Sequence, residues 1–323
     1  MGKSTGLTMH SIHQSLAAMA RRGLFAVFTA LSMLLAGAAA AADANPKSFA
    51  SPEDAVQELV AAAKSGDTKA MLAVLGAAAK NLVSSGDPVA DRAAYERFAR
   101  AYEEGHKIEK QGNTKAVLSV GKDDWPLPIP LVKSEAGWRF DATQGQEEIL
   151  NRRIGRNELS AMQAVQAYVD AQREYYVRNP GGDKLLHYAQ KLVSAKGKRD
   201  GLYFPTKDGE PASPLGAFFA RAQTEGYKAG EGGKPVPYHG YYYRILKAQG
   251  PGAKGGAYDY VAQGKMIGGF ALVAYPARYG NSGVMTFIVN HEGVVYQKDL
   301  GPQTGSIAAK MRKFDPDGTW KRL

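Results

Sequence analysis

The residues best suited to acid–base chemistry lie four positions apart on one predicted helix. Asp170 and Glu174 share a helical surface with Arg173, because residues three and four apart are neighbours on a helix. Two adjacent carboxylates can separate their pKa values, so that one acts as an acid and the other as a base. An exposed helix face with an ion pair gives the same triplet and is the commoner arrangement. Asp170 and Glu174 are therefore candidate catalytic residues of a hydrolase or an isomerase.

His239 is the histidine that suits this chemistry best as a general base. It lies between Tyr238 and Gly240 at the predicted entrance to a strand, where its ring can be presented to a substrate. A histidine with a structural hydrogen bond is the commoner case. The histidines beyond residue 42 are far apart in the sequence, and none forms a His-x-x-x-His pair. We therefore expect neither a metal site nor a cofactor.

Two arginines and a group of tyrosines are candidates for non-covalent contact. Arg152 and Arg153 can each hold a carboxylate or a phosphate through two hydrogen bonds, although solvated surface charge is the commoner role. Six tyrosines fall within 23 residues of the C-terminal third, where one strand face would pack inward and the other would form an aromatic patch. Exposed tyrosines contact proteins or glycans well, although core packing would use the same residues. The candidate contact residues are Tyr238, Tyr242, Tyr258, Arg152 and Arg153.

The composition excludes several other chemistries. The 323 residues contain no cysteine, which rules out disulfides, cysteine-ligated zinc, thiol catalysis and a lipid-modified N-terminal cysteine. The whole chain has a net charge of +10, and without residues 1–42 it keeps 38 basic and 31 acidic residues, a net charge of +7. These charges are spread along the chain, whereas a nucleic-acid-binding protein concentrates its basic residues. We expect no nucleic acid among the partners.

The first 42 residues have the pattern of a secretory signal peptide. Arg21 and Arg22 precede an apolar run from Gly23 to Leu35, and small residues follow as far as Ala42. The apolar run is shorter than the ~20 residues that a transmembrane helix needs. We expect cleavage near Ala42–Asp43, a periplasmic or secreted location, and no stable transmembrane span after processing. The route of export, general or twin-arginine, stays open.

The remaining residues predict an α+β fold, beginning with a helix-plus-antiparallel-sheet lobe. Apolar residues at helical spacing are followed by short alternating stretches that turn residues separate. The last helix predicted in this lobe runs from Asp91 to Glu104. The strands predicted in this lobe are Lys107–Lys110, Lys115–Val120, Leu131–Lys133 and Trp138–Phe140. This order is similar to the NTF2-like cone fold, and the likeness implies a small-molecule pocket near Trp125 and Trp138.

The middle of the chain predicts a helical bridge, and the end predicts a second sheet. The bridge helices are expected over Asn157–Arg178, Asp183–Ser194 and Pro214–Glu225, with Asn157 as a helix cap. The later strands are expected over Tyr241–Lys247, Phe270–Tyr275, Val284–Asn290 and Val294–Lys298, followed by a helix over Ser306–Lys313. This second sheet resembles the globular domains of pilins. The predicted divisions are a signal peptide at 1–42, an α+β lobe at 43–143, the bridge at 144–234 and the sheet lobe at 235–323.

Several segments together resemble the DUF2950 family of exported bacterial proteins. The segments that carry the resemblance are Phe49–Glu53, Asp123–Pro126, Ile149–Glu158, Tyr168–Tyr175, Lys198–Tyr203, Pro237–Tyr242 and Met285–Asn290. The likeness spans the chain after residue 42, and it implies export and a shared fold. It assigns no catalytic residue.

Three functions remain open from the sequence. The favoured hypothesis is a non-catalytic protein of the cell envelope that binds an envelope protein, a glycan or a small molecule through the region around Tyr238–Tyr260. The first alternative is a periplasmic hydrolase or isomerase that uses Asp170 or Glu174 with His239. The second is a small-molecule carrier with a pocket inside the cone.

Overall fold

A computed structural model describes residues 45–228 and 235–323. These residues form an α+β fold, as the sequence predicts. The predicted signal peptide, residues 1–42, lies outside the described residues. No helix in the described part of the chain is both long enough and apolar enough to cross a membrane.

The first helices begin and end where local sequence signals place them. The Ser51 side chain accepts a hydrogen bond from the Asp54 amide at the start of α1, and Gly66 ends that helix in the left-handed conformation that favours glycine. Asp67 caps α2 and Asp87 caps α4 in the same way as Ser51. The helices of this lobe are α1 (Pro52–Ser65), α2 (Thr68–Leu75), the short α3 (Lys80–Val83) and α4 (Pro88–Glu104).

An antiparallel sheet follows these helices, and it confirms the strands predicted for the first lobe. Its strands are β1 (His106–Gln111), β2 (Lys115–Val120), β3 (Trp125–Pro126), β4 (Leu131–Ser134) and β5 (Gly137–Phe140). The order across the sheet is β1-β2-β4-β5, and β3 pairs with β2. Alternate side chains of β2 and β5, such as Leu118 and Phe140, are buried against the helices in a core of their own.

A single long helix, α5 (Gln146–Arg178), leaves this lobe. Its 33 residues span about 50 Å at 1.5 Å per residue. The predicted start at Asn157 is wrong, because the helix begins eleven residues earlier, directly after Gly145 in the left-handed conformation. Asn157 is buried within the helix, and its side-chain amide donates to the Ser282 carbonyl at 2.9 Å. A polar residue that looks like a cap here makes a tertiary contact.

The helix predicted over Asp183–Ser194 is wrong. Residues 187–204 form an irregular segment, here called the strap, which makes isolated bridges between Val193 and Tyr203 and from Tyr188 to Met266. The buried side chain of Gln172 on α5 holds the strap at both the amide and the carbonyl of Ala189, at 2.9 and 2.8 Å. Other backbone groups of the strap pair with one another, as the Tyr203 amide does with the Leu192 carbonyl at 2.9 Å, so tertiary and internal bonds replace a helical ladder. The next helix, α6 (Gly216–Thr224), lies within the predicted Pro214–Glu225.

The C-terminal strands confirm the predicted antiparallel sheet. Its strands are β6 (Tyr241–Leu246), β11 (Ala271–Pro276), β12 (Met285–Asn290), β13 (Val295–Asp299) and β15 (Lys321–Arg322), in the order β15-β13-β12-β11-β6. Short strands form two smaller pairings: β7 (Ala248–Gln249) with β8 (Tyr258–Asp259) and β14 (Lys313–Phe314), and β9 (Val261–Ala262) with β10 (Lys265–Met266). The helix α7 (Thr304–Lys310) packs on β11.

The described residues contain two separate hydrophobic cores. One joins α1, α2 and the first sheet, and the other joins α5, the strap and the C-terminal sheet. Much of the predicted bridge thus shares a core with that sheet, and the exact domain limits stay a prediction. Polar contacts connect the two cores, among them the Arg278 guanidinium and the Asn281 amide, both of which donate to the Ser84 carbonyl.

Candidate functional site

A cavity of about 620 Å³ lies between α5, the strap, α6 and the edge of the C-terminal sheet. Its walls are mainly apolar and aromatic. The residues that form its apolar surface include Ala164, Leu192, Val193, Leu215, Phe218, Phe219, Ala222, Pro237 and Leu272, and its tyrosines are Tyr168, Tyr203, Tyr227, Tyr238 and Tyr243. This volume and this mixture of apolar walls with a few polar groups are typical of small-molecule sites.

Aromatic stacking fixes the walls of the cavity. The rings of Tyr203 on the strap and Phe219 on α6 are stacked, with centroids 4.3 Å apart and planes 11° from parallel. Phe218 on α6 lies 4.9 Å from Tyr238, which in turn lies 4.8 Å from Tyr227 in an edge-on contact. Such ring pairs hold side chains in defined orientations and add to the stability that burial provides. The aromatic walls are thus preformed.

The tyrosine hydroxyl groups in this cavity differ in how well they are satisfied. Tyr168 donates to the Ala271 carbonyl at 3.1 Å and also accepts from Gln172. Among the described residues, the Tyr243 hydroxyl donates only to the Tyr238 carbonyl, at 3.4 Å, and the Tyr203 hydroxyl makes no hydrogen bond. Burial, followed by the nearby Glu225 carboxylate, raises the pKa of Tyr238 to about 12, and burial also raises the pKa of Tyr243. The hydroxyls of Tyr238 and Tyr243 are therefore protonated at neutral pH.

His239 lies at the rim of the cavity, in a network that joins the two cores. Its ring nitrogen Nε2 is 3.0 Å from Glu225, and its backbone amide donates to the Tyr227 hydroxyl at 3.1 Å. The buried carboxylate of Asp87, which caps α4, accepts from Tyr227 at 3.0 Å and from the Gly240 amide at 2.8 Å. His239 itself has a φ of 49°, a left-handed conformation that is uncommon outside glycine. The surrounding hydrogen bonds hold it there.

The structure does not bring His239 together with Asp170 or Glu174. Gly240 packs against the side chain of Asn157, in the first half of α5. Asp170 and Glu174 lie 13 and 17 residues further along the same helix, or about 20 Å and about 25 Å at its rise per residue. Asp170 is 3.9 Å from Arg173, and Glu174 pairs with Arg178 at 2.5 Å. The carboxylates thus form surface ion pairs far from the histidine.

The two predicted arginine contacts have partners within the protein. Arg153 donates to the Asn81 carbonyl at 2.7 Å and to the Asn281 side chain at 2.6 Å, so it connects the two cores. The Arg152 guanidinium lies 4.5 Å from the centre of the exposed Trp125 ring and pairs with Glu148. Neither guanidinium lines the cavity.

The predicted tyrosine group does not form one surface. Tyr241 and Tyr260 are fully buried in the C-terminal core. Tyr242 is half-buried beside Tyr275, on the strand face opposite to that of Tyr241. Tyr258 is exposed, and of the three predicted contacts only Tyr238 lines the cavity.

The cavity also lies outside the region where the cone likeness implies one. Trp138 is buried in the first core, and Trp125 is exposed beneath Arg152. The lining of the cavity comes from residues between 164 and 272, and several of them, such as Tyr168, Leu215 and Leu272, belong to the second core. The expectation of a pocket near the two tryptophans stays a prediction.

Several cavity residues escaped the sequence analysis. Tyr203 lies in a stretch that reads as a loop, and Phe218 and Phe219 lie in a short helix whose partners the sequence does not reveal. The available signal was the pair of aromatic clusters at Leu202–Phe204 and Leu215–Phe219, which is unusually apolar for a loop and its neighbouring helix. In residues 45–228 and 235–323 there is no group of three or more His, Asp or Glu side chains arranged to hold a metal ion.

The part of the chain that forms the cavity matches a known protein family. The model of DUF2950, described as a protein of unknown function, matches residues 46–323. The chain belongs to the DUF2950 family. The DUF2950 match includes every residue that lines the cavity and confirms the resemblance seen in the sequence. Neither the curated proteins nor the solved structures contain a significant match, so the NTF2-like and pilin-like likenesses stay predictions.

Proposed function

We propose that this protein is a non-catalytic binding protein that takes up an apolar, ring-containing small molecule in the tyrosine-lined cavity. The observation that carries the proposal is the cavity of about 620 Å³, whose walls are mainly apolar and aromatic and include five tyrosines. A cavity of this size accommodates a molecule of a few fused or linked rings. Removal of such a molecule from water provides the main driving force for binding.

The wall residues define the chemistry of the ligand more closely. Stacked rings such as Tyr203 and Phe219 favour a flat apolar partner, which can continue the stack. The hydroxyls of Tyr203 and Tyr243 favour one or two oxygen or nitrogen acceptors on the ligand, because the described residues satisfy these donors poorly. A protonated tyrosine whose pKa is far above neutral donates a hydrogen bond but exchanges protons poorly, which favours binding over acid–base catalysis.

We also propose that the protein acts outside the cytoplasm, in the periplasm or as a secreted protein. The order of basic, apolar and small residues in the first 42 positions supports this location. The family match begins at residue 46, just after the predicted cleavage near Ala42–Asp43. N-terminal sequencing of the protein from its native host should begin at Asp43, whereas a chain that retains the first residues in the cytoplasm would contradict this location.

A fluorescence titration with N-phenyl-1-naphthylamine, a neutral aromatic probe, tests the proposed cavity. Ala222 on α6 lines the cavity, so Ala222→Trp should fill it and weaken probe binding at least about tenfold. Ala220 lies on the same helix but is exposed, so Ala220→Trp is the matched control and should bind as the parent does.

A second variant protects the test against a failure of Ala222→Trp to fold. Phe219→Ala removes the ring that stacks on Tyr203, and binding should weaken about tenfold through the loss of that contact. Circular dichroism and thermal melting verify that each variant is folded. Absence of probe binding by the parent, or an equal loss in Ala220→Trp and Ala222→Trp, would reject the cavity as a binding site.

A further inference from the structure

Two open clefts lie next to each other on the other side of the strap. The first has a volume of about 670 Å³ and lies beside the end of α5 and the β9–β10 turn. The second, of about 490 Å³, lies between β6 and the chain after α7. Gln190 and Lys247 line both clefts and are hydrogen-bonded to each other at 2.9 Å, so the clefts adjoin at this pair. We call the two clefts together the basic groove.

Positive charge predominates along the basic groove. Its cationic residues are Lys191, Lys198, Arg199, Arg244, Lys247, Lys265, Arg312 and Lys313, and its carboxylates are Asp183, Asp200 and Asp259. Eight cations against three carboxylates leave a formal charge of +5 along this lining. Charge of one sign in a concave surface raises the local concentration of an oppositely charged ligand.

Three of these cations are neutralised by carboxylates. Lys191 pairs with Asp200 at 2.6 Å, and Lys265 pairs with Asp183 at 2.6 Å. Arg199 pairs with Glu210, which lies outside the groove lining, at 2.7 Å. These pairs fix the positions of the side chains that they include.

The Asp183 carboxylate also interacts with a second side chain, that of His187. The almost buried ring of His187 lies with Nε2 2.7 Å from Asp183, while its Nδ1 lies 3.0 Å from the Tyr188 carbonyl. Lys265 and His187 together lower the pKa of Asp183, so this carboxylate is ionised and its charge is used within the protein. Asp183 therefore does not neutralise the unpaired cations elsewhere in the basic groove.

The other five cations make no ion pair within residues 45–228 and 235–323. Lys247 donates to the neutral side chain of Gln190 at 2.9 Å, and Arg312 donates to the Ala309 carbonyl at 3.2 Å. Arg244 donates to the Met311 carbonyl at 2.6 Å. Burial, followed by the nearby Arg312 cation, lowers the pKa of Arg244, which places these two cations close together. Lys198 and Lys313 are exposed along the same groove.

We propose that the basic groove binds an acidic polysaccharide through repeated carboxylate groups. Two adjoining clefts suit a chain better than a single small anion, and their concave shape does not suit a flat membrane surface. Single-stranded nucleic acids bind best where exposed rings stack on the bases, but the one aromatic residue in the groove lining, Tyr175, is buried. The basic groove is separate from the aromatic cavity, so this proposal is independent of the proposed ligand.

Isothermal titration of the folded protein with hexagalacturonate at low salt tests the proposal. The double variant Lys247→Glu/Lys313→Glu reverses two groove charges, and we expect affinity to fall at least about tenfold. Lys80 and Lys122 are exposed and make no ion pair with described residues, so Lys80→Glu/Lys122→Glu changes the net charge equally and should stay within about twofold of the parent. Binding should also weaken as salt rises, because the groove charges are in solvent.

Three outcomes would overturn the assignment. If the parent does not bind hexagalacturonate, the assignment is wrong. An equal loss of affinity in the two double variants would show that the ligand responds to the net charge of the protein and not to the basic groove. Tighter binding of a hexathymidylate than of hexagalacturonate would assign the groove to nucleic acid. Thermal melting of each variant separates a loss of binding from a loss of folding, and the single variant Lys198→Glu supplies an independent test on an exposed side chain.

Discussion

The aromatic cavity and the basic groove lie on two sides of the same strap, but their chemistry is opposite. Leu192 and Val193 of the strap line the cavity, while the adjacent Gln190 and Lys191 line the groove. Because the strap is neither a helix nor a regular strand, neighbouring pairs of side chains can turn to different sides. The cavity lining is mainly apolar and aromatic, whereas the groove lining carries eight cations and three carboxylates. The comparison shows that adjacent residues of one irregular segment can contribute to surfaces of opposite chemistry.

Both surfaces depend on the buried amide of Gln172. This side chain holds Ala189 at the start of the strap, and it also donates to the Tyr168 hydroxyl in the cavity wall. A substitution at Gln172 should therefore affect both the cavity and the basic groove, although the two share no lining residue.

The largest effect is expected from Gln172→Leu. The change leaves the buried amide and carbonyl of Ala189 without partners, and it should lower the free energy of unfolding by about 3 kcal/mol. Urea denaturation measures this loss, and probe and hexagalacturonate titrations should both show weaker binding. Gln163→Leu, at an exposed position of the same helix, is the control and should change neither stability nor binding. Loss at one site alone would show that the strap does not couple the two surfaces.

A smaller effect is expected at alkaline pH, where Tyr238 of the cavity wall contributes to a loss of stability. Burial raises the pKa of Tyr238 from 10 to about 12, so the unfolded chain loses this proton before the folded one does. The stability due to this shift is complete below pH 10 and is lost as the pH rises through about 12. Urea denaturation across this range should show the decline, and Tyr238→Phe should make it shallower. An unchanged slope in that variant would contradict the burial of the hydroxyl.

The smallest effect is expected from Tyr203→Phe, which removes a hydroxyl that is free of hydrogen bonds to described residues. The free energy of unfolding should change by less than about 0.5 kcal/mol. Binding of naphthalene should stay the same, whereas 1-acetonaphthone, which offers a carbonyl acceptor, should bind about fivefold more weakly. Equal effects on the two compounds would show that the hydroxyl does not contact the ligand.

Local signals predicted the regular elements well and the irregular ones poorly. The end of α4 at Glu104 and the strand Lys115–Val120 follow from residues within one turn or one strand. The false helix over Asp183–Ser194 shows the limit, because the bonds from Gln172 to Ala189 come from a different element. The same limit applies to Asn157, whose partner Ser282 is more than a hundred residues away.

The sequence by itself determined the α+β class, the ends of α4 and α5 at Glu104 and Arg178, the strand alternation and the absence of thiol chemistry, since each depends on composition or on neighbouring residues. It could not show that Tyr203 stacks on Phe219 or that Tyr238 closes the same cavity, because those contacts depend on how α5, α6 and the sheet pack. Nor could it show that His239 lies far from Asp170. Packing sets the distances between elements, and only these distances decide which side chains can act together.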